Sequence, residues 1–202
     1  MNVTKKSSHY AIIEGYCMQI RRYGNWGGIL KCLVVLSFVD PATAAADGNG
    51  NCPSAEAKDA NGIIEFSQYR FPDGSSDLVL MPQNGSDMEV RRVTFEGSKT
   101  EGCLYRSLAI APGGSDDQWG WHLAWAGEEG VRYARMDGQA WVSSPPKRLS
   151  AASAREVRLE INGSELLLRW HERHGGRTEA YQAVSHDEGR SWAAPQQIHP
   201  DN

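Results

Sequence analysis

The order of apolar and polar residues predicts short β-strands separated by turns through most of the chain. Residues 156–161 are the clearest case, because apolar and charged residues alternate strictly, as in a strand with one buried face. Asn162 and Gly163 follow at once, and this pair is typical of a tight β-hairpin turn. No convincing helical periodicity follows residue 46, so we predict an all-β fold.

Two units of the chain match each other in order and in chemistry. Each has a strand that ends in Trp, a polar turn, a strand that carries Tyr, and a turn with Asp and Gly that ends in Trp. The matched pairs are Trp125 and Trp170, Tyr133 and Tyr181, and Trp141 and Trp192, which lie 45, 48 and 51 residues apart. A period of this length with four short strands per unit is typical of β-propeller blades. We therefore expect each matched pair to occupy equivalent interior positions.

The repeat divides the chain into three regions. Residues 103–150 and 155–199 each predict one blade, and residues 52–100 predict a partial blade of three strands. We expect two to three four-stranded antiparallel propeller-type blades that form an open, incomplete propeller, because three blades cannot close a ring. The first and last edges of such an arrangement stay exposed and can attract other strands.

The first 46 residues are predicted to be a secretory signal peptide. Arg21 and Arg22 precede an apolar run at residues 32–39, and small residues follow at 42–46. This run is far shorter than the roughly 20 residues of a membrane span, and a retained membrane anchor is the alternative. Signal peptides usually have about 15–30 residues, so Met18 is a candidate for the true start. We expect a periplasmic protein whose single β domain covers residues 47–202.

The net charge of this domain argues against some classes of binding partner. Residues 1–46 hold five of the 21 Lys and Arg and two of the 25 Asp and Glu, which leaves a net charge of −7 on residues 47–202. Nucleic-acid binding draws its affinity from neutralised phosphates, so this balance argues against nucleic acid, and equally against an anionic membrane surface. A cationic partner fits the balance, and solubility alone is the alternative explanation.

Two cysteines remain after the predicted signal peptide. Cys52 and Cys103 form an even pair in an exported chain, which predicts a disulfide; two buried free thiols are the alternative. A zinc site would need more ligands at close spacing, and His171 and His174 would point in unlike directions without a third ligand. We therefore expect no metal and no cofactor.

A turn motif near the C-terminus has a direct physical basis. Gly189 can adopt a positive φ in a tight turn, Asp187 can accept backbone N–H bonds across it, and Ser185 can do so from the strand end. Trp192 can cover the hairpin with its large ring. With Ser191, these residues resemble the Asp-box, or BNR repeat, of sialidase-like β-propellers, whose pattern has Thr at the position of Ser191. The resemblance implies a structural role on the propeller rim, remote from any catalytic centre.

The resemblance does not extend to sialidase activity. Those enzymes use six blades, roughly twice this chain, and their Arg-Ile-Pro motif is absent from the sequence. No Gly-x-Ser-x-Gly elbow supports a serine nucleophile either. We therefore predict a binding protein without catalytic residues, not an enzyme.

One segment between two predicted strands is longer than a tight turn requires. Residues 111–121 combine flexible glycines, two adjacent acids and tryptophans, so the segment could reach a partner from the rim; a solvated loop is the alternative. Trp119 or Trp121, exposed beside the acids, would be an interface anchor. The predicted partner-binding residues are Gly113, Gly114, Ser115, Asp116, Asp117 and Trp119.

Export, small size, acidity and the missing catalytic set together suggest an inhibitor. In fold and layout the chain resembles the periplasmic immunity proteins that bacteria pair with type VI secretion peptidoglycan amidases, which are disulfide-bearing β proteins. The resemblance implies that residues 113–116 would enter the Cys–His cleft of a secreted cell-wall hydrolase and occlude its nucleophile. The alternative is a carbohydrate-binding or sialidase-like glycan-acting module, in which Trp and Tyr side chains would stack on sugar rings.

Overall fold

All regular elements in the described part of the chain are β-strands, which confirms the predicted fold class. The computed structural model describes residues 44–45, 52–59, 62–83, 90–113, 120–138 and 140–199. The first blade consists of β2 (Ser54–Asp59), β3 (Gly62–Arg70), β4 (Ser76–Pro82) and β5 (Arg91–Arg92). The second consists of β6 (Ser107–Pro112), β7 (Trp121–Gly127), β8 (Gly130–Met136) and β9 (Lys147–Ser150). The third consists of β10 (Ala154–Asn162), β11 (Glu165–His174), β12 (Arg177–Ser185) and β13 (Gln196–Ile198).

Each blade is an antiparallel sheet whose strands are hydrogen-bonded in chain order. No sheet closes into a barrel, so the three four-stranded blades form the open propeller-type arrangement expected from the repeat. The first blade has four strands rather than the predicted three. Its first strand, β2, was not predicted because its only apolar residues are two alanines among Ser, Glu, Lys and Asp. Ala55 is the buried one of the two.

The contact between the first two blades, which we call the first seam, is filled by large apolar side chains. Phe66 from β3 meets Trp125 from β7 edge-on, with ring centroids 6.3 Å apart. Both blades contribute large residues, including Leu78, Leu80, Leu123 and Met136. Burying such side chains on both sides contributes about 1.5–3 kcal/mol for each of them.

The contact between the second and third blades, the second seam, is asymmetric. The second blade contributes small residues, among them Ala109, Ala111, Ala124 and Ala126. The third blade contributes larger ones, including Leu159, Leu168 and Trp170. Because side chains alternate along a strand, odd-numbered residues of β7 face the first seam and even-numbered residues face the second. This double burial explains why every residue of β7 is buried.

The matched tryptophans are equivalent, whereas the matched tyrosines are not. Trp125 and Trp170 both lie on the second strand of their blade and face the preceding blade. Tyr181 is the cross-strand partner of Trp170 and shares its face, but the partner of Trp125 is Arg132. Tyr133, one residue further along, therefore faces the following blade. The prediction for the tyrosines was wrong because a shift of one residue in strand register moves a side chain to the other face.

A disulfide joins Cys52 and Cys103, as predicted, with their Cα atoms 5.1 Å apart. It ties the start of the first blade to the segment that enters the second. Gln68 on β3 holds the same segment, because its amide donates to the Gly102 carbonyl at 2.9 Å and accepts from the Leu104 N–H at 2.7 Å. Covalent and polar links therefore both support the first seam.

A two-residue strand, β1 (Ala44–Ala45), pairs with Leu108 and Ser107 on the free edge of β6. The rest of the predicted signal peptide, including Met18, lies outside the described residues, so its cleavage near residue 46 stays a prediction. The described residues include no helix long and apolar enough to cross a membrane.

The outer face of the third blade, which no further blade of the described residues covers, is charged. Arg169 pairs with Glu160 at 2.8 Å, and His171 pairs with Glu156 at 3.1 Å. Arg158 is also exposed on this sheet. These charges alternate with the buried residues of the second seam, so one sheet has an apolar inner face and a polar outer face.

Candidate binding surface

The residues on either side of the predicted loop are hydrogen-bonded to each other. Pro112 at the end of β6 pairs with Trp121 at the start of β7, and the Gly113 N–H donates to the Gly120 carbonyl at 2.5 Å. Gly120 has a φ of +68° and lies so close to the Met136 carbonyl that a Cβ atom there would overlap it. The base is thus fixed against β8 by a contact that only glycine permits.

Most of the predicted partner-binding residues cannot be placed. Gly114, Ser115, Asp116, Asp117 and Trp119 lie outside the described residues, and only Gly113 is described. The suggestion that Trp121 is an exposed anchor is wrong, because its side chain is 3% exposed and packs in the first seam. As the first residue of β7, it belongs to the core and not to the loop.

Exposed apolar side chains lie on the turn that follows β8 and on a segment of the first blade that is hydrogen-bonded to this turn. The turn that follows β8 is closed by the Asp137 N–H, which donates to the Val142 carbonyl at 3.0 Å. Val142 itself is 63% exposed. Next to it, the Ser143 hydroxyl donates to the Val93 carbonyl at 3.1 Å, and Phe95, two residues beyond Val93, is 72% exposed.

These groups define a surface that we call the seam corner: Gly113, Gly120, Trp141, Val142 and Phe95. Trp141 is half-buried against the first seam, and the Arg91 guanidinium lies over its ring, 5.5 Å from the centroid. Isolated apolar residues on a surface are ordinary, but a group of them beside a long loop is typical of an interaction site.

The Asp-box forms a closed hydrogen-bond network. The Asp187 carboxylate accepts from the Ser185 hydroxyl and the Ser191 N–H, both at 2.8 Å, and from the Ser191 hydroxyl at 2.6 Å. The Gly189 N–H donates to the Ser185 hydroxyl at 2.9 Å. Bonds from both groups of Ser191, and then from Ser185, lower the pKa of Asp187 from 3.8 to about 2. A carboxylate held in this way is suited to fixing a turn, and no proton-transfer role is needed to explain it.

The Asp-box also reaches across the second seam. Trp192 packs edge-on against Tyr133 of the second blade, with centroids 4.9 Å apart. Gly189 has a φ of +79°, and a Cβ atom there would overlap the Tyr133 hydroxyl. The Lys147 ammonium donates to the Arg190 carbonyl at 2.6 Å. The motif therefore joins two blades as well as closing its own turn.

A buried polar pair lies behind this contact. His122 on β7 is 1% exposed, and its Nδ1 is 2.6 Å from the Tyr133 hydroxyl. Burial, with a smaller effect of the nearby Arg135 charge, lowers the pKa of His122 from 6.5 to about 4, so the imidazole is neutral at pH 7. Burial also raises the pKa of Tyr133, which keeps its hydroxyl protonated. The neutral forms suit a bond in which Tyr133 donates to His122.

A second polar cluster lies on β11 and β12, near their hairpin. The buried Glu172 carboxylate accepts from the Trp170 indole N–H and bonds His174 Nε2, each at 2.7 Å. The Tyr181 hydroxyl donates to Glu179 at 3.0 Å, and this bond raises the pKa of Tyr181. Each of these groups has a protein partner, which explains how Glu172 is accommodated beside the second seam.

The two histidines considered for a metal do not converge. His171 lies on the outer face of the third blade with Glu156, whereas His174 lies on the inner face with Glu172. The described chain contains no group of three or more His, Cys, Asp and Glu side chains placed to hold a metal ion.

Sequence reasoning missed the seam corner and the His122–Tyr133 pair. The seam corner joins residues from two blades, and nothing in the linear pattern predicts the hydrogen bond between Ser143 and Val93 that links them. For the pair there was a signal, because His122 interrupts an otherwise apolar strand that is buried on both faces. A histidine in such a strand needs a polar partner, although the sequence does not identify which one.

Comparison with models of protein families, with curated proteins and with solved structures found no match to this chain. The function is therefore inferred from the residues of the chain itself.

Proposed function

We propose that this protein is a periplasmic inhibitor that binds another protein, acting as an immunity protein against a secreted cell-wall hydrolase. The observation that carries the proposal is the seam corner, where two exposed apolar side chains, Phe95 and Val142, lie on segments linked by the hydrogen bond between Ser143 and Val93. The turn that holds Val142 follows β8, against which the base of the loop is fixed. In this proposal the corner binds the rim of the hydrolase, and residues 113–119 enter its active-site cleft.

The fixed base supports the proposed mode of inhibition. A loop held at Gly113 and Gly120 loses less conformational freedom on binding than one whose ends are free, so more of the contact energy appears as affinity. The small side chains of Gly113, Gly114 and Ser115 suit a narrow cleft. The net charge of −7 on residues 47–202 would speed association with a basic hydrolase.

The described polar groups support a binding role over a catalytic one. Asp187 is held by three hydrogen bonds in a turn, and Glu172 by two bonds beside the seam. Stacking on sugars finds little support, because Trp121, Trp125 and Trp170 are buried and offer no free ring face.

The test is a binding assay with the purified hydrolase encoded beside this protein. The double variant Phe95→Asp, Val142→Asp should weaken binding about tenfold or more, because an apolar contact is replaced by charge. Ile63→Asp is the matched control: Ile63 is also exposed, at 37%, but lies on the face of β3 opposite to Ile64 and Phe66, away from the first seam.

Four results would contradict the proposal. Equal loss with Ile63→Asp would point to a charge effect unrelated to the seam corner. Undiminished binding by the double variant would remove the corner as the interface. Turnover of a fluorogenic sialoside, or no complex with the hydrolase at high concentration, would rule out an inhibitor.

A further inference from the structure

The second seam contains a titratable side chain, that of His122, close to the contact between the Asp-box and the second blade. His122 is fully buried, and its ring lies parallel to that of Tyr133 at a centroid distance of 6.1 Å and an angle of 21°. Tyr133 in turn contacts Gly189 and Trp192 of the Asp-box. His122 is therefore one residue removed from the contact between the two blades.

Within the described part of the chain, the groups around His122 disfavour a positive charge. From β6, Ala111 is the cross-strand neighbour of His122, and the core of the second seam, to which Ala111 belongs, is apolar. From β8 come Tyr133 and Arg135, and the Arg135 charge disfavours protonation of the imidazole. From the Asp-box, Asp187 and Glu188 act on the Tyr133 hydroxyl.

Protonation would change the bonding as well as the charge. Neutral Nδ1 can accept the Tyr133 O–H, but the imidazolium has only N–H donors. The Tyr133 hydroxyl would then lose its acceptor while Gly189 blocks one side of it. A buried donor without a partner and a second positive charge near Arg135 are both costly inside a protein.

We propose that the second seam is a pH-sensitive junction, at which protonation of His122 separates the third blade, with its Asp-box, from the second blade while the first seam stays closed. The polar pairs described across the first seam, Arg132 with Glu96 and Tyr105 with Glu96, are exposed and lie outside its apolar core. Acidification therefore acts on one of two otherwise similar blade contacts. This inference is independent of the proposed inhibitor role.

The test follows one amide that crosses the second seam. The Val157 N–H of β10 donates to the Ser107 hydroxyl of β6 at 3.0 Å, so its hydrogen exchange reports on seam opening. Leu78, whose N–H donates to Thr94 within the first blade, is the reference. After correction for the intrinsic pH dependence of exchange, Val157 should lose protection about a hundredfold between pH 6.5 and 4, and Leu78 should not.

A variant identifies the responsible group. His122→Asn keeps an acceptor for Tyr133 but cannot be protonated, so Val157 should stay protected through the same pH range. His171→Asn, on the outer face of the third blade, is the matched control and should behave as the unmodified protein.

Two outcomes would overturn the junction. One is unchanged Val157 protection down to pH 4, or the same loss in His122→Asn. The other needs no variant, and so applies even if His122→Asn does not fold. If NMR titration showed that the pKa of His122 in the folded protein is no lower than its ordinary value of 6.5, protonation would not disfavour the closed seam and could not open it.

Discussion

The two seams between the blades are built by different means. The first brings large apolar side chains together from both blades, and a disulfide and Gln68 reinforce it. The second packs alanines against large residues and adds the His122–Tyr133 pair and the Asp-box. Apolar burial is insensitive to pH, whereas buried polar pairs depend on protonation. The difference suggests that the first seam supplies stability and the second supplies orientation and response.

Truncating the tryptophan of either seam should have the largest effect. Trp125→Ala and Trp170→Ala each remove a side chain that is at most 1% exposed, so each should reduce the free energy of unfolding by about 3–5 kcal/mol. Urea denaturation measures the loss. Hydrogen exchange should show Trp170→Ala loosening the third blade most. A loss below about 1 kcal/mol for either variant would contradict its placement.

Removing the disulfide should be the next largest effect. The double variant Cys52→Ser, Cys103→Ser should lose about 2–4 kcal/mol, because the bond restricts the unfolded chain across a separation of 51 residues. Thermal unfolding with and without reductant measures this, and the variant itself should not respond to reductant. If hydrogen exchange showed the second seam loosening before the first, the disulfide would not be acting where we place it.

Two glycine substitutions separate backbone strain from the contact across the second seam. Gly189 and Gly163 both have positive φ, +79° and +62°, so alanine at either position should cost about 1 kcal/mol. Gly163 has open space around it, whereas a Cβ atom at Gly189 would overlap Tyr133. Gly189→Ala should therefore lose about 2–3 kcal/mol in all. Equal losses by urea denaturation would show that the blades do not meet at this point.

The smallest effect is the pH dependence that comes from Asp187. Its pKa is about 2 in the folded protein and 3.8 in the unfolded chain, so the unfolded chain takes up the proton first as pH falls. The stabilisation is complete above pH 4 and is lost as pH falls toward 2. Asp187→Asn should unfold with a weaker pH dependence in this range.

A matched residue tests whether this behaviour is specific to the Asp-box. Asp73 in the first blade also has a lowered pKa, through bonds from the Ser75 hydroxyl and N–H. Asp73→Asn should change acid unfolding without altering Trp192 packing, whereas Asp187→Asn should alter both. Far-UV circular dichroism and tryptophan fluorescence, followed together, distinguish the two variants.

The strands of the third blade could be predicted because buried and exposed residues alternate along β10 and β11, and those of the second because its residues match the third in order and in chemistry. The Asp-box turn could also be predicted, since Ser185, Asp187 and Gly189 form it through local bonds. Hydrogen bonds of this kind join residues that are close in the sequence, so the sequence predicts them.

The features that could not be predicted depend on which face of one blade packs against which face of the next. Tyr133 was assigned to the wrong face, because sequence spacing cannot fix strand register to one residue. The seam corner and the partner of His122 likewise arise only when distant strands pack. Only two of the six residues of β2 are apolar, and both are alanine, so the sequence does not identify it as a strand.

The charged outer face of the third blade is unsuited to packing against another blade. A blade with two apolar faces would accept the first blade of another copy, and head-to-tail addition of this kind continues into filaments. Burying Arg158, Glu160 and Arg169 in such a contact would strip them of water without replacing it. The sheet that closes the second seam from inside therefore disfavours head-to-tail addition at its outer face.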